Sequence, residues 1–173
     1  MRLNCCMDKK AFSTGNSGGA LWLSSPAFQD SNPLPLRCTG RGADLSPELN
    51  LSGLSPAAVS LAVVMDDLDI PVFGVYNHWI IWNLPAASTV PPAISAGAEL
   101  PSGARQGIGY GGHCYAGPKI PRFLHKAHRY RFTAYALDCK LDLSSNAKKG
   151  NLLNAMFGHI LQTATLIGTH QNR

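Results

Sequence analysis

Charge is scarce in this chain: only 14% of its 173 residues are Asp, Glu, Lys or Arg, against 45% hydrophobic. That balance excludes a disordered polymer and is enough to build one buried core. Long apolar runs are also lacking. The longest, 59–65 and 79–84, are strand-sized and far short of the roughly 18 residues a membrane helix needs, so no integral membrane association is expected. The first 19 residues mix Cys5, Cys6, Asp8, Lys9 and Lys10 with a Gly/Ser stretch, unlike the basic start and apolar core of a secretory signal, which predicts a cytoplasmic location. The five cysteines, Cys5, Cys6, Cys38, Cys114 and Cys139, show neither CxxC nor paired zinc-ligand spacing. Free thiols in a reducing compartment, with no metal and no cofactor, are expected. The formal charge of +5 is spread along the chain rather than clustered, which argues against nucleic acid as a partner. Much of the basic excess falls between Lys119 and Lys149, where it could draw an anion toward a nearby site. No Gly-x-Ser-x-Gly elbow and no nucleophile beside a base is present, so no catalytic residue is expected. There is no internal repeat.

What is present is a succession of short apolar segments separated by Pro, Gly and Asn turns, the pattern of a mainly β domain. Residues 59–65 and 79–84 are nearly continuous in apolar character and rich in β-branched or aromatic side chains, as in central strands buried on both faces. Residues 130–137 alternate large and small side chains, as in a strand with one better-buried face. The stretches 88–112 and 116–121 are rich in Pro and Gly and read as long functional loops without regular structure. Helical spacing of Leu152, Leu153, Met156, Phe157, Ile160 and Leu161 predicts a helix over about 145–161, capped by Ser144 or Ser145 and lying against the sheet; 163–168 add a last short strand. Residues 1–20 read as a flexible leader before a single domain over 21–173.

Polar residues capable of chemistry concentrate around these strands. Asp66-Asp67-Leu68-Asp69-Ile70-Pro71 follows one buried run, so its carboxylates should emerge at a strand end where Pro71 fixes a turn. His78-Trp79 opens the next strand. Tyr115-Ala116-Gly117-Pro118-Lys119-Ile120-Pro121 forms a rigid loop whose backbone N–H groups could hold an anion's oxygens. His128-Arg129-Tyr130 supplies a second imidazole. These segments are expected to converge on one polar pocket, with a nearby carboxylate raising the imidazole pKa values. Two other readings of Asp67, His78 and His128 stay open: an acid/base set for a hydrolase, or zinc ligands.

The combination resembles the phosphatidylethanolamine-binding protein family, in particular its bacterial and archaeal Raf-kinase-inhibitor-like branch. Asp67-Leu68-Asp69-Ile70-Pro71 is similar to that family's Asp-Pro-Asp-x-Pro signature, with Leu68 in place of a proline. Asn77-His78-Trp79 resembles its His-Trp element. Gly117-Pro118-Lys119-Ile120-Pro121 followed by His128-Arg129-Tyr130 resembles its second signature, with Ile120 in place of a proline and a long spacer that adds His125 and Lys126. Ser46-Pro47-Glu48-Leu49 matches an upstream Ser-Pro-x-Leu, and 158–161 and 166–169 resemble the closing helix and strand. The resemblance implies a β-sandwich with a large central sheet and a small anion pocket lined by Asp67, His78, Gly117, Pro118, His128 and Tyr130, with Tyr115 beside it and Asp69 supporting the loop of Asp67. It implies a non-enzymatic binding module for a phosphate, phosphorylated head group or phosphopeptide. It also implies modulation of a kinase or protease, and a homodimer. On this reading His128→Ala removes anion binding and leaves the melting temperature within a few degrees.

Overall fold

The computed structural model of the chain describes residues 19–71, 74–121 and 126–171. Most of the leader expected over 1–20, together with Cys5, Cys6 and His125, therefore lies outside the described residues. The fold is mainly β, as expected. A five-stranded antiparallel sheet is built from β3 (Ser60–Ile70), β4 (Gly74–Pro85), β6 (Arg105–Gln106), β7 (His128–Leu137) and β8 (Ile160–His170), in the order β6-β4-β3-β7-β8. A smaller three-stranded sheet holds β1 (Trp22–Ser24), β2 (Leu49–Ser52) and β5 (Thr89–Val90).

The near-continuous apolar character of the central strands has a direct structural cause. Side chains alternate across a strand, and here both faces meet a core. Leu61, Val63 and Met65 of β3, with Trp79 and Ile81 of β4 and Phe132 and Ala134 of β7, pack toward Leu23, Leu49, Leu51 and Val90 of the small sheet. The intervening residues Ala62, Val64, Ile80 and Trp82 pack on the opposite face against Leu152 and Met156 of α1 (Lys149–Met156), the one α-helix among the described residues. The molecule is thus layered as small sheet, large sheet, helix.

Three expectations are corrected here. The helix spans eight residues rather than 145–161. Its apolar spacing runs on only because Ile160 and Leu161 begin β8, where alternation takes over from helical periodicity; Leu153 and Phe157 stay exposed. Ser144 does not cap the helix. Its carbonyl accepts the Ala147 amide to close a turn, and Asn151 Oδ1 accepts the Lys148 amide at the true start (3.0 Å). The long loop 88–112 is not wholly irregular, since it lends two-residue strands, β5 and β6, to the edges of the two sheets.

Gln106 organises that loop. It is fully buried, its Oε1 accepts the Trp79 indole N–H (2.7 Å), and its amide donates to the carbonyls of Ser95, Gly97 and His113. A single side chain thereby anchors the loop to a central core tryptophan.

Candidate functional site

Asp66 and Asp67 are consecutive residues inside β3, and strand alternation sends them to opposite faces. The strand does not end at the acidic cluster as expected. It runs to Ile70, which pairs with Gly74 of β4 across an irregularity that leaves Leu68 and Asp69 out of register. Asp66 points to the helix side, where Lys149 Nζ meets it at 2.6 Å, Arg131 at 3.5 Å and Asn77 Nδ2 at 3.1 Å. Asp67 faces the other way. It pairs across the sheet with Tyr76 on β4 and Tyr130 on β7, so the three side chains form a row on one face.

His78 reaches the same face through a defect in the ladder. Met65 pairs with Trp79 and Asp66 with Asn77, so His78 is one residue too many on β4: a β-bulge. Bulges re-aim side chains, and this one turns His78 toward Asp67 and Tyr76. His78, Asp67, Tyr76, His128 and Tyr130 line a cavity of about 280 Å3, with Tyr110, Lys119, Ile120 and Pro121 completing its wall and rim. The tyrosines close around His78: the ring of Tyr130 stands edge-on to it at 5.3 Å, that of Tyr76 at 6.0 Å, and Tyr110 lies over it at 5.2 Å. Tyr110 arrives there because Gly109 runs hard against β4, where a Cβ would come within 2.6 Å of the His78 carbonyl oxygen.

The polar groups at the cavity floor are ordered by one carboxylate. Asp67 is only 1% exposed; its Oδ1 accepts the Asp69 amide (2.9 Å), its Oδ2 accepts His128 Nδ1–H (2.8 Å), and the Tyr130 hydroxyl also donates to it. Burial first, and the Asp67 carboxylate second, push the Tyr130 phenol far above its ordinary pKa, so it keeps its proton and donates it to Asp67. His78 Nδ1 lies 2.8 Å from the Ala116 carbonyl, which can only accept. Nδ1 therefore carries the hydrogen and Nε2 is the nitrogen left to address the cavity.

The pKa of His78 runs against expectation. The carboxylates beside it do favour the imidazolium, but desolvation outweighs them, and the ring is held below its ordinary value. His78 is thus neutral in the empty site near pH 7.

Four of the expected site residues, Asp67, His78, His128 and Tyr130, line the cavity; four support it from outside. Asp69 clamps Arg129, accepting Nε and the backbone amide on one oxygen and a terminal nitrogen on the other, each at 2.9 Å. That fork holds the Asp69 carboxyl down at about 2. Tyr115 is buried against Trp79 and donates to the Cys38 carbonyl (2.8 Å). The Gly117 amide, expected to face an anion, donates instead to Asp44 Oδ1 (2.7 Å), and a Cβ there would collide with the Cys38 carbonyl oxygen at 2.3 Å. Pro118 accepts the Gly40 amide through its carbonyl. This loop is accordingly a rigid strut braced on residues 38–44.

Tyr76, Tyr110 and Lys119 were not singled out from the sequence. Tyr76 carried a weak signal, two residues before His78 on a strand; Lys119 sat within the recognised loop; nothing marked Tyr110. Part of the basic excess between Lys119 and Lys149 is committed elsewhere. Lys149 and Arg131 serve Asp66, Arg129 serves Asp69, and exposed Lys126 adds positive potential at Asp69, whereas Lys119 stands on the cavity rim. Among the described residues, the donor atoms of Asp67, His78 and His128 do not gather into a compact metal-binding group.

Comparison with known proteins agrees in family and in fold. The profile of a family described as phosphatidylethanolamine-binding protein matches residues 24–171. A UPF0098 protein of Methanothermobacter thermautotrophicus is 40% identical over 151 residues, which cover 86% of this chain and 97% of that protein. A UPF0098 protein of Pyrococcus horikoshii is 36% identical over 152 residues, covering 86% of this chain and 76% of its relative. Among solved structures, a putative phosphatidylethanolamine-binding protein homolog from Chlamydia trachomatis superposes with a TM-score of 0.77 at 34% identity, covering 89% of this chain and 99% of the other. YbcL of E. coli, described as a member of the mammalian family, superposes with a TM-score of 0.79 at 25% identity, covering 90% and 100%.

Proposed function

The chain belongs to the phosphatidylethanolamine-binding protein family, and we propose that it is a binding module that takes a phosphate-like or other anionic group into the cavity of Asp67, His78, His128 and Tyr130. Through that group it modulates a kinase or protease partner, as the family resemblance implies. The observation that carries the reading is the convergence, in one small cavity, of two imidazoles with fixed Nδ1 hydrogens and a rim lysine. Each imidazole can present a second N–H donor once protonated. Asp67 does not repel the anion as an isolated carboxylate would, because its oxygens already accept three donors from the protein. The volume suits a phosphate with a short substituent. Binding rather than turnover is favoured because, among the described residues, the lining offers no serine, threonine or cysteine beside His128 to act as a nucleophile.

The test is a titration with inorganic phosphate, phosphoethanolamine and a phosphoserine peptide at about pH 6.5, followed by NMR of the histidine side chains. Saturable shifts at His78 and His128 are expected, and Lys119→Glu, an exposed change, should weaken binding by about tenfold. No saturable shift with any of the three would overturn the proposal. Release of free phosphate from phosphoethanolamine would favour the hydrolase reading instead.

His128→Ala is a poorer test than the sequence suggests. His128 is 2% exposed, and its loss leaves the buried Asp67 short of a donor. A cost of about 2–4 kcal/mol, or roughly 5–15 °C in melting temperature, is expected together with lost binding. Calorimetric unfolding within 2–3 °C of wild type would show that the Asp67–His128 contact contributes little.

A further inference from the structure

We propose that Asp138, Cys139 and His159 form a surface site for a borderline divalent metal ion, with zinc as the fitting occupant. No spacing in the sequence announces it, since the histidine lies twenty residues from its partners. The fold closes that gap. Asp138 and Cys139 follow the last residue of β7, and His159 immediately precedes β8, its hydrogen-bonded neighbour; Leu137 pairs with Ile160 at the junction. The Asp138 amide donates to the His159 carbonyl, and the Ser60 hydroxyl donates to the Cys139 carbonyl, so both backbones are held.

On that frame one thiol, one imidazole nitrogen and one carboxylate oxygen lie within 4.8 Å of one another. The Asp138 carboxylate accepts His159 Nδ1–H at 2.8 Å and also the Cys139 thiol. A tetrahedral zinc with bonds of about 2.0–2.3 Å needs donors roughly 3.5 Å apart, so the set must close by about 1 Å. The side chains of His159 and Asp138, 47% and 45% exposed, are free to make that adjustment by rotation. Cys139 is half-buried against the core beneath α1, which gives the site one apolar wall and one open side. Thiolate with imidazole selects zinc or cobalt over magnesium or calcium, and three protein ligands leave a fourth position for water. On binding, Cys139 gives up its thiol proton to solvent and the His159 hydrogen moves to Nε2, so one proton is released per metal bound.

The site stands at the opposite end of β7 from His128, roughly 30 Å away at strand rise, so its fate is separate from that of the anion cavity. The experiment is a titration of the full reduced chain with cobalt(II), read by absorption, followed by displacement with zinc. One equivalent should produce a thiolate-to-cobalt charge-transfer band that zinc abolishes. Cys139→Ser should remove the band, and His159→Ala should weaken the metal by at least about tenfold, with circular dichroism unchanged because both residues lie at the surface end of the sheet. Absence of the band at equimolar cobalt would overturn the proposal. So would a band that survives Cys139→Ser, since the thiolate would then come from Cys5, Cys6, Cys38 or Cys114.

Discussion

Gln106→Leu is expected to lower the melting temperature by roughly 10 °C or more, although it replaces one side chain in a loop by an apolar one of similar size. The reason is the number of bonds that converge on this one buried side chain. The Trp79 indole N–H, on a residue 1% exposed, would lose its acceptor, and the part-buried carbonyls of Ser95, Gly97 and His113 would lose a shared donor, the last of them keeping the Gly97 amide. The buried indole left without an acceptor costs about 1–3 kcal/mol and each lost part-buried bond about 0.5–1.5 kcal/mol, so the sum reaches roughly 3–5 kcal/mol. Hydrophobic gain from the leucine does not offset this, because the position is already fully enclosed. The damage should spread to the cavity. Trp79 adjoins His78 and carries Tyr115 edge-on at 5.6 Å, so a tryptophan released from Gln106 loosens the wall behind the imidazole. Gln106→Glu separates the two halves of the interaction, retaining an acceptor for Trp79 while removing the amide donor. It should also be destabilised, by the buried charge as well as by the lost bonds. The check is differential scanning calorimetry of both variants alongside their anion affinity. Leucine melting within about 2 °C of wild type would show that the loop is held by packing alone.

Anion affinity should rise steeply as the solution is acidified, by up to tenfold per pH unit for each proton taken up. The sign follows from His78. In the empty cavity its pKa lies below the ordinary value of 6.5, chiefly through desolvation. A bound anion supplies the missing counter-charge and raises that pKa, so the complex carries a proton that the free protein lacks. Log affinity therefore falls as pH rises through the window between the depressed free value and the elevated bound one. Sulfate is the probe of choice, because it remains a dianion across that window and contributes no titration of its own. His78→Gln, which keeps a neutral donor, should flatten the profile. An affinity independent of pH in the wild type would mean that the anion is held by Lys119 and neutral donors without protonating His78. The same depressed pKa makes an opposite prediction for the empty protein. The unfolded chain takes up the proton more readily than the fold, so the stability contributed by neutral His78 is fully present above about pH 6.5 and declines below it. Added sulfate should restore it, since a ligand that binds only the native state stabilises by mass action.

Much of the molecule was legible in the residues because it rests on local rules. The apolar runs at 59–65 and 79–84 required strands covered on both sides, and the structure supplies a second sheet on one face and a helix on the other. The order of Asp67, His78, Gly117 and His128 sufficed to suggest a family, since those positions combine residue types that are costly in buried strands. Where two periodicities abut, local reading failed: Ile160 and Leu161 satisfy both the helix that precedes them and the strand they begin, and only the pairing with β7 assigns them.

Composition and order along the chain thus determined a β domain with central buried strands and a polar centre built on Asp67, His78 and His128. Tertiary structure alone decided which way each group faces and what holds it. The bulge that turns His78 into the cavity, Asp44 on the Gly117 amide, Gln106 beneath Trp79, Tyr110 over the imidazole and the meeting of Cys139 with His159 all join residues far apart in the chain or depend on ladder register. Strand pairing is non-local: a slip of one residue reverses every side chain while leaving composition and local periodicity unchanged, so register is set by the whole sheet closing on its cores.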